Sequence, residues 1–187
     1  MRHVISALVI NEPGVLANVA GMFAARGFNI DSLVVGRTEN PELSRMTIVA
    51  NADDNTLDQV RKQLAKLVPV VQVHDFAESA YVERDLLLMQ VSATAGDRSE
   101  IIQIVSQFRG KIVDVSPTGL MVELAGQESK LEAFIELMKP YGIGELARTG
   151  VIAMARGMQL GKTAPIVIQG KRKRSLDAPP AAALPPS

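Results

Sequence analysis

Val9-Ile10-Asn11-Glu12-Pro13-Gly14-Val15-Leu16 sets the reading of the whole chain. An apolar run stops at four turn-forming or polar residues. An apolar pattern of helical spacing begins at once, through Val15, Leu16, Val19, Met22 and Phe23. Pro13 fits the first turn of a helix, where its missing N–H costs nothing. Gly14 lets the backbone come close to a neighbour or a ligand, because no Cβ stands in the way. Free N–H groups at such a helix start form a modest anion site, with the Asn11 amide just outside it. Gly27 stops the helix as a C-terminal glycine does, and Asn29 opens the next strand.

Outward from this turn the pattern is regular. Val4 to Ile10 reads as a central strand, Asn29 to Arg37 as a second and Ser44 to Ala50 as a third. In the third, Met46, Ile48 and Ala50 alternate with Arg45, Thr47 and Val49, so one face should be buried more than the other. Asp53-Asp54-Asn55 offers caps for a helix carrying Leu57, Val60, Leu64 and Leu67. Pro69 ends that helix, and Val70 to Phe76 forms a fourth strand. Strand–helix–strand–strand–helix–strand is the ferredoxin-like order, with both helices on one face of an antiparallel sheet. The strands are too apolar to leave the other face bare, which implies pairing with another subunit.

The same order returns after a charged stretch, from Leu86 to Ala155. The expected fold class is therefore α+β, with two ferredoxin-like βαββαβ domains. The divisions are 1–77, a linker at 78–84, a second domain at 85–157 and a tail at 158–187. The tail carries Lys171-Arg172-Lys173-Arg174 and a Pro/Ala-rich end, which read as a solvated terminus.

Composition narrows the function. Across 187 residues, 47% hydrophobic content and 21% charged content fit a globular core, and a formal net charge of +0 argues against a polyanion partner. Aromatic residues make up 4%, too few for stacking on single-stranded nucleic acid. There are no cysteines, which excludes disulfides, thiolate metal sites and cysteine nucleophiles. No stretch approaches the ~18 apolar residues of a membrane span and no signal peptide is evident, so a cytoplasmic protein is expected.

Candidate sites are few. Asn11 to Gly14 serve as an ordinary strand-to-helix turn or, with Asn29 as a second polar arm beside them, grip an amino-acid zwitterion. In the second reading the carboxylate meets backbone N–H groups and the ammonium meets carbonyl or amide oxygens. Val15, Leu16 and Ile30 would then wall a small branched side chain, separating ligands by about 1–3 kcal/mol per methylene. Gly142-Ile143-Gly144 follows a broken helix and not a strand, so it is no dinucleotide loop. His3 and His74 fall near the ends of neighbouring strands and read as a solvated pair; no third ligand completes a metal site. No catalytic group set is recognisable, so neither a catalytic nor a metal residue is assigned.

Several segments together resemble the small regulatory subunit of acetolactate synthase (acetohydroxyacid synthase). They are Asn11 to Leu16, Arg26 to Leu33, Leu43 to Ile48, Lys66-Leu67-Val68, Val82-Glu83-Arg84, Phe108-Arg109-Gly110, Ile112-Val113-Asp114 and Ala147 to Gly150. The N-terminal module looks like an ACT domain, a ligand-sensing fold. The resemblance implies a non-catalytic subunit that activates the large catalytic subunit and confers feedback inhibition by valine. It implies a homodimer through paired ACT domains, with valine at their interface near Asn11, Pro13, Gly14, Val15, Leu16, Asn29 and Ile30. Thiamine diphosphate, magnesium and FAD belong to the large subunit, leaving no cofactor for this chain. Gly36-Arg37 departs from the family pattern. A free-standing ACT-type sensor acting on another enzyme or on transcription is the rival reading, and a small ferredoxin-like enzyme a third.

Overall fold

A computed structural model describes residues 1–77 and 79–157. The tail expected at 158–187 lies outside them. β1 (Arg2–Ile10) is buried along nearly its whole length because β3 (Leu43–Asn51) and β4 (Val70–Asp75) flank it. β2 (Ser32–Arg37) completes the first sheet in the order β2-β3-β1-β4, all neighbours antiparallel. α1 (Val15–Ala24) and α2 (Asp54–Leu64) cover one face. Their core joins Ile5, Ala7 and Val9 of β1 to Val19 and Phe23 of α1 and Leu57 and Leu64 of α2.

Local chemistry sets the ends. Gly27, at φ +70°, turns the chain out of α1. Its N–H donates to the Ala24 carbonyl at 3.0 Å and the Phe28 N–H donates to the Phe23 carbonyl at 3.1 Å. This is the paired bonding of a Schellman end, and the Phe23 and Phe28 rings meet edge-on at 6.4 Å as its apolar contact. Asp53 caps α2, accepting from the Thr56 N–H at 2.9 Å.

The second unit repeats the plan. β5 (Tyr81–Ser92), α3 (Arg98–Gln107), β6 (Lys111–Val115), β7 (Gly119–Gly126), α4 (Glu128–Met138) and β8 (Ile143–Arg148) form a sheet in the order β6-β7-β5-β8. A 3-10 turn at Lys139–Tyr141 precedes β8. Both units are ferredoxin-like, as expected.

Two expectations need correction. Tyr81–Arg84, read as part of a linker, is the first half of β5 and pairs with β9 (Ile152–Ala155). The stretch from Ile143 to Ala155 is therefore two strands, β8 and β9, parted at Thr149-Gly150-Val151. This two-stranded ribbon lies over the helix-free face of the first sheet. Val4, Val49 and Phe76 pack there against Val151 and Ala153, with Tyr81 and Ala155 at the margin. Thr47 and Val49 are consequently as buried as Met46 and Ile48, so β3 has no open face at its centre. The chain itself covers apolar surface that the sequence assigned to another subunit. Among the described residues, Leu88 of the second sheet is left exposed, as are Ile152 and Met154 on the ribbon.

Candidate functional site

The turn after β1 is fixed from both sides. The Asn11 N–H donates to the Glu42 carbonyl at 2.8 Å and its Nδ2 donates to the Pro41 carbonyl at 3.1 Å, tying the turn to the β2–β3 hairpin. Gly14 is the N-cap of α1 at φ +84°, ψ −13°, and α1 begins at Val15, so Pro13 lies just before the helix and not within its first turn. A Cβ on Gly14 would meet nothing within 4 Å; glycine is required there by the left-handed backbone, not by crowding. Among the described residues the N–H groups of Gly14, Leu16 and Ala17 have no hydrogen-bond acceptor. Asn11, Glu12, Pro13 and Gly14 are all exposed. The turn therefore presents several donors to solvent at the positive end of a helix.

Asn29 stands elsewhere. It precedes β2 by three residues, and its Nδ2 donates to Asp31 Oδ1 at 2.9 Å. The Asp31 N–H bonds the Val49 carbonyl, whereas Ile10, next to the turn, faces Leu43. Six residues of β3 separate those two levels, or ~20 Å along the strand. Within one chain, then, Asn29 is not beside the turn but at the opposite end of the sheet. The reason is topological: α1 runs back antiparallel to β1, so the residues at its start and those beyond its end lie a helix length apart.

The proposed walls divide similarly. Val15 is buried in the first core and Ile30 packs against that core, so both support the fold. Leu16 is 46% exposed at the turn and is free to meet a ligand or a neighbour. The Oδ1 atoms of Asn11 and Asn29 make no hydrogen bond among the described residues, since each amide is held through its Nδ2. One end of the module thus offers donors plus one carbonyl oxygen, and the other end a second carbonyl oxygen.

The histidines do not meet. His3 is buried, its Nε2 3.1 Å from the Ala52 carbonyl oxygen. His74 faces Ser6 across the sheet and packs edge-on against Phe76 at 4.6 Å. Their side chains lie on opposite faces, because position 3 shares the parity of helix-facing Ile5 while His74 alternates with helix-facing Val73. The expected solvated pair does not form. No cluster of three or more metal-ligating side chains occurs among the described residues. No described helix is long and apolar enough to cross a membrane.

A feature the sequence did not disclose lies between the two units. Asp85, its side chain wholly buried, accepts from Arg148 Nε at 2.8 Å and Nη2 at 2.6 Å. Desolvation lowers the Arg148 pKa, but its hydrogen bonds to Asp85 and Glu132 outweigh that, and the guanidinium stays charged above its ordinary range. Arg2 bridges Glu83 at 3.0 Å and Glu128 at 2.7 Å, linking β1 to the second unit. A recess of about 320 Å3 lies here, bordered by Asp31, Ser32, Glu128 and Arg148 among others.

Two antiparallel sheets, each with its helices on one face, define the ferredoxin-like architecture of ACT-type domains. A family model for the ACT domain of acetohydroxyacid synthase small subunits matches residues 5–72, and one for the small subunit of acetolactate synthase matches residues 84–157. The chain belongs to the acetolactate synthase small-subunit family. It is 53% identical over 156 residues to a protein of Methanothermobacter thermautotrophicus named "Probable acetolactate synthase small subunit", covering 83% of this chain and 93% of that one. It is 47% identical over 155 residues to the acetolactate synthase small subunit of Mycobacterium bovis, covering 83% and 92%. The crystal structure of the acetolactate synthase small subunit from Thermotoga maritima superposes with a TM-score of 0.77 at 47% identity, covering 83% of this chain and 98% of that one. The family makes this chain the partner of a larger catalytic subunit.

Proposed function

We propose that the chain activates the large acetolactate synthase subunit and makes it sensitive to valine, bound between the ACT domains of two copies. The observation that carries this reading is the separation of the turn from Asn29. The donors at Gly14, Leu16 and Ala17 suit a carboxylate, and the carbonyl oxygens of Asn11 and Asn29 suit an ammonium. At ~20 Å apart they serve one small ligand only if two copies meet head to tail. β2 is the edge strand of its sheet. Pairing two β2 edges antiparallel across a two-fold axis brings the turn of one module beside Asn29 of the partner subunit. Asn11, Pro13, Gly14, Val15 and Leu16 then come from one copy, and Asn29 and Ile30 from the other, with Leu16 the side chain best exposed to select a branched chain. The chain contributes no catalytic group. Thiamine diphosphate, magnesium and FAD are the business of the catalytic subunit.

Gly14→Asp tests the site. It sets a carboxylate where the ligand's own carboxylate must lie; the left-handed backbone costs an aspartate about 1 kcal/mol, which the fold tolerates. In the reconstituted enzyme the variant should still bind and stimulate the large subunit. The valine concentration for half inhibition should rise at least about tenfold, equivalent to ~1.4 kcal/mol of lost binding. An unchanged midpoint would remove this turn from the site.

A further inference from the structure

The residues leading into β2 are held from two sides. Asp31 Oδ1 accepts from Asn29 Nδ2 at 2.9 Å, and Oδ2 accepts from Asn51 Nδ2 at 2.7 Å. One residue on, Ser32 Oγ accepts from the Val151 N–H at 3.2 Å, 119 positions away in the sequence. Gly150, at φ +84°, lies against the same side chain: a Cβ there would sit 2.5 Å from Ser32 Oγ and 2.9 Å from Val34 Cγ2. The Gly150 N–H in turn donates to Asp85 Oδ1 at 3.1 Å. A continuous series of hydrogen bonds and close contacts therefore joins Asn29, through Asp31, Ser32 and Gly150–Val151, to Asp85.

We propose that the Asp31–Ser32 corner is the relay through which an amino acid held at Asn29 acts on the second unit. This rests on the effector reading above. Asp31 holds the Asn29 amide through its Nδ2, so a ligand ammonium that draws the Asn29 carbonyl oxygen toward itself turns the amide and pulls on Asp31. Ser32 follows directly in the backbone and cannot stay still when Asp31 shifts. Its contact with the second unit is made to backbone at Gly150 and Val151, where no flexible side chain absorbs a displacement. Asp85 is the position at which β5 passes from pairing with β9 to pairing with β7 and β8. A shift received at Gly150 thus changes the angle between the ribbon and the second sheet. A ligand drives such a change only by binding the two arrangements unequally.

Ser32→Ala and Gly150→Ala, each in the full chain assembled with its large subunit, test the relay. Calorimetry reads valine binding, enzyme assay reads inhibition, and hydrogen exchange reads the Val151 amide. Valine should alter exchange at Val151 at least threefold in the unmodified chain. Ser32→Ala should bind valine within threefold of the unmodified affinity, yet lose more than half of the maximal inhibition. Gly150→Ala should give the same split through its clash. Ser32→Thr keeps the acceptor oxygen and should retain inhibition. A purely structural defect would reduce binding and inhibition together, which would overturn the relay. Full inhibition in Ser32→Ala would overturn it alone. Failure of the unmodified chain to bind valine would overturn both the effector reading and the relay.

Discussion

Replacing Asp85 by Asn removes one charge from the junction of the two units and changes almost nothing in volume. The carboxylate accepts four hydrogen bonds: two from Arg148, one from Thr149 Oγ1 at 3.2 Å and one from the Gly150 N–H. An asparagine can keep its oxygen toward Thr149 and Gly150, but its NH2 then confronts the Arg148 guanidinium, donor against donor. Two charge-assisted bonds are lost, each worth about 1.5–3 kcal/mol. The loss will not reach the ~3–5 kcal/mol of stripping one half from a fully buried pair. Arg148 is 24% exposed and keeps Glu132, with Glu128 at 3.8 Å, so no isolated charge is left behind. A loss of about 2–3 kcal/mol is the expected outcome.

Urea unfolding of the full chain followed by circular dichroism measures it. With a slope of about 2 kcal/mol per molar, the midpoint should fall by roughly 1–1.5 M while the slope is unchanged. The Arg148 pKa is raised in the folded state, so its contribution is fully present below the unfolded value and lost only above the folded one. The difference between Asp85→Asn and the unmodified chain should therefore stay flat between about pH 6 and 9. Arg148→Met completes a double-mutant cycle, with an expected coupling of about 1.5–3 kcal/mol. A midpoint shift under about 0.3 M, or two costs that simply add, would mean that the junction is held by shape and not by charge.

Two further outcomes rest on local geometry. Arg109 occupies the left-handed position after α3 at φ 55°, where the first unit has Gly27, with the same pair of bonds: Arg109 N–H to the Ser106 carbonyl at 2.9 Å and Gly110 N–H to the Val105 carbonyl at 2.8 Å. Arg109→Gly should stabilise the chain by about 0.5 kcal/mol, a rise of one or two degrees in Tm. Lys130 reports the same change: desolvation first, then repulsion from Arg109 and Arg84, lowers its pKa. Its folded form resists protonation, so stability rises as pH climbs from the folded pKa toward the ordinary 10.5, and the variant should narrow that window; a fall in Tm would refute the strain argument. At α2, the Thr56 backbone N–H, followed by its hydroxyl, holds the Asp53 carboxyl below its ordinary 3.8. That stabilisation is present above 3.8 and disappears as pH falls through the folded value. Asp53→Asn keeps the cap oxygen and should flatten acid fraying of α2, followed by amide NMR between roughly pH 5 and pH 2.

Sequence made the order of elements legible because each signal was local. Apolar spacing marked α1, Gly27 marked its end, and Asp53 marked the start of α2. What it hid was non-local. Tyr81-Val82-Glu83-Arg84 looks like a linker until Ile152–Ala155 is placed beside it, and no short-range pattern in either segment announces the other. The burial of Thr47 and Val49 depends on that ribbon and was invisible for the same reason. His3 and His74 were paired by adjacency of strands, when the parity of side chains along each strand decides whether they meet. Arg109 carries no glycine to advertise its left-handed backbone. In the site, Asn11 and Gly14 were found by their turn chemistry and Asn29 by its place after the helix. Their distance was already implied by the length of α1 and the direction in which it runs.

That distance changes what the effector can report. A site enclosed in one module would sense valine whether or not the module had a neighbour. A site split between opposite ends of two modules, as we propose, exists only while they are paired, so ligand and pairing stabilise each other by mass action. A two-fold pair has two such sites, and each joins the donor turn of one copy to the Asp31–Ser32 corner of the other. Binding at either site therefore bears on the corner that touches Gly150 and Val151 in its own chain, and hence on the angle at Asp85. The β5–β9 ribbon gives the arrangement its direction. It closes the helix-free face of the sensing sheet, ties that sheet to the second unit, and leaves Leu88, Ile152 and Met154 outward on surfaces whose mutual orientation depends on that angle.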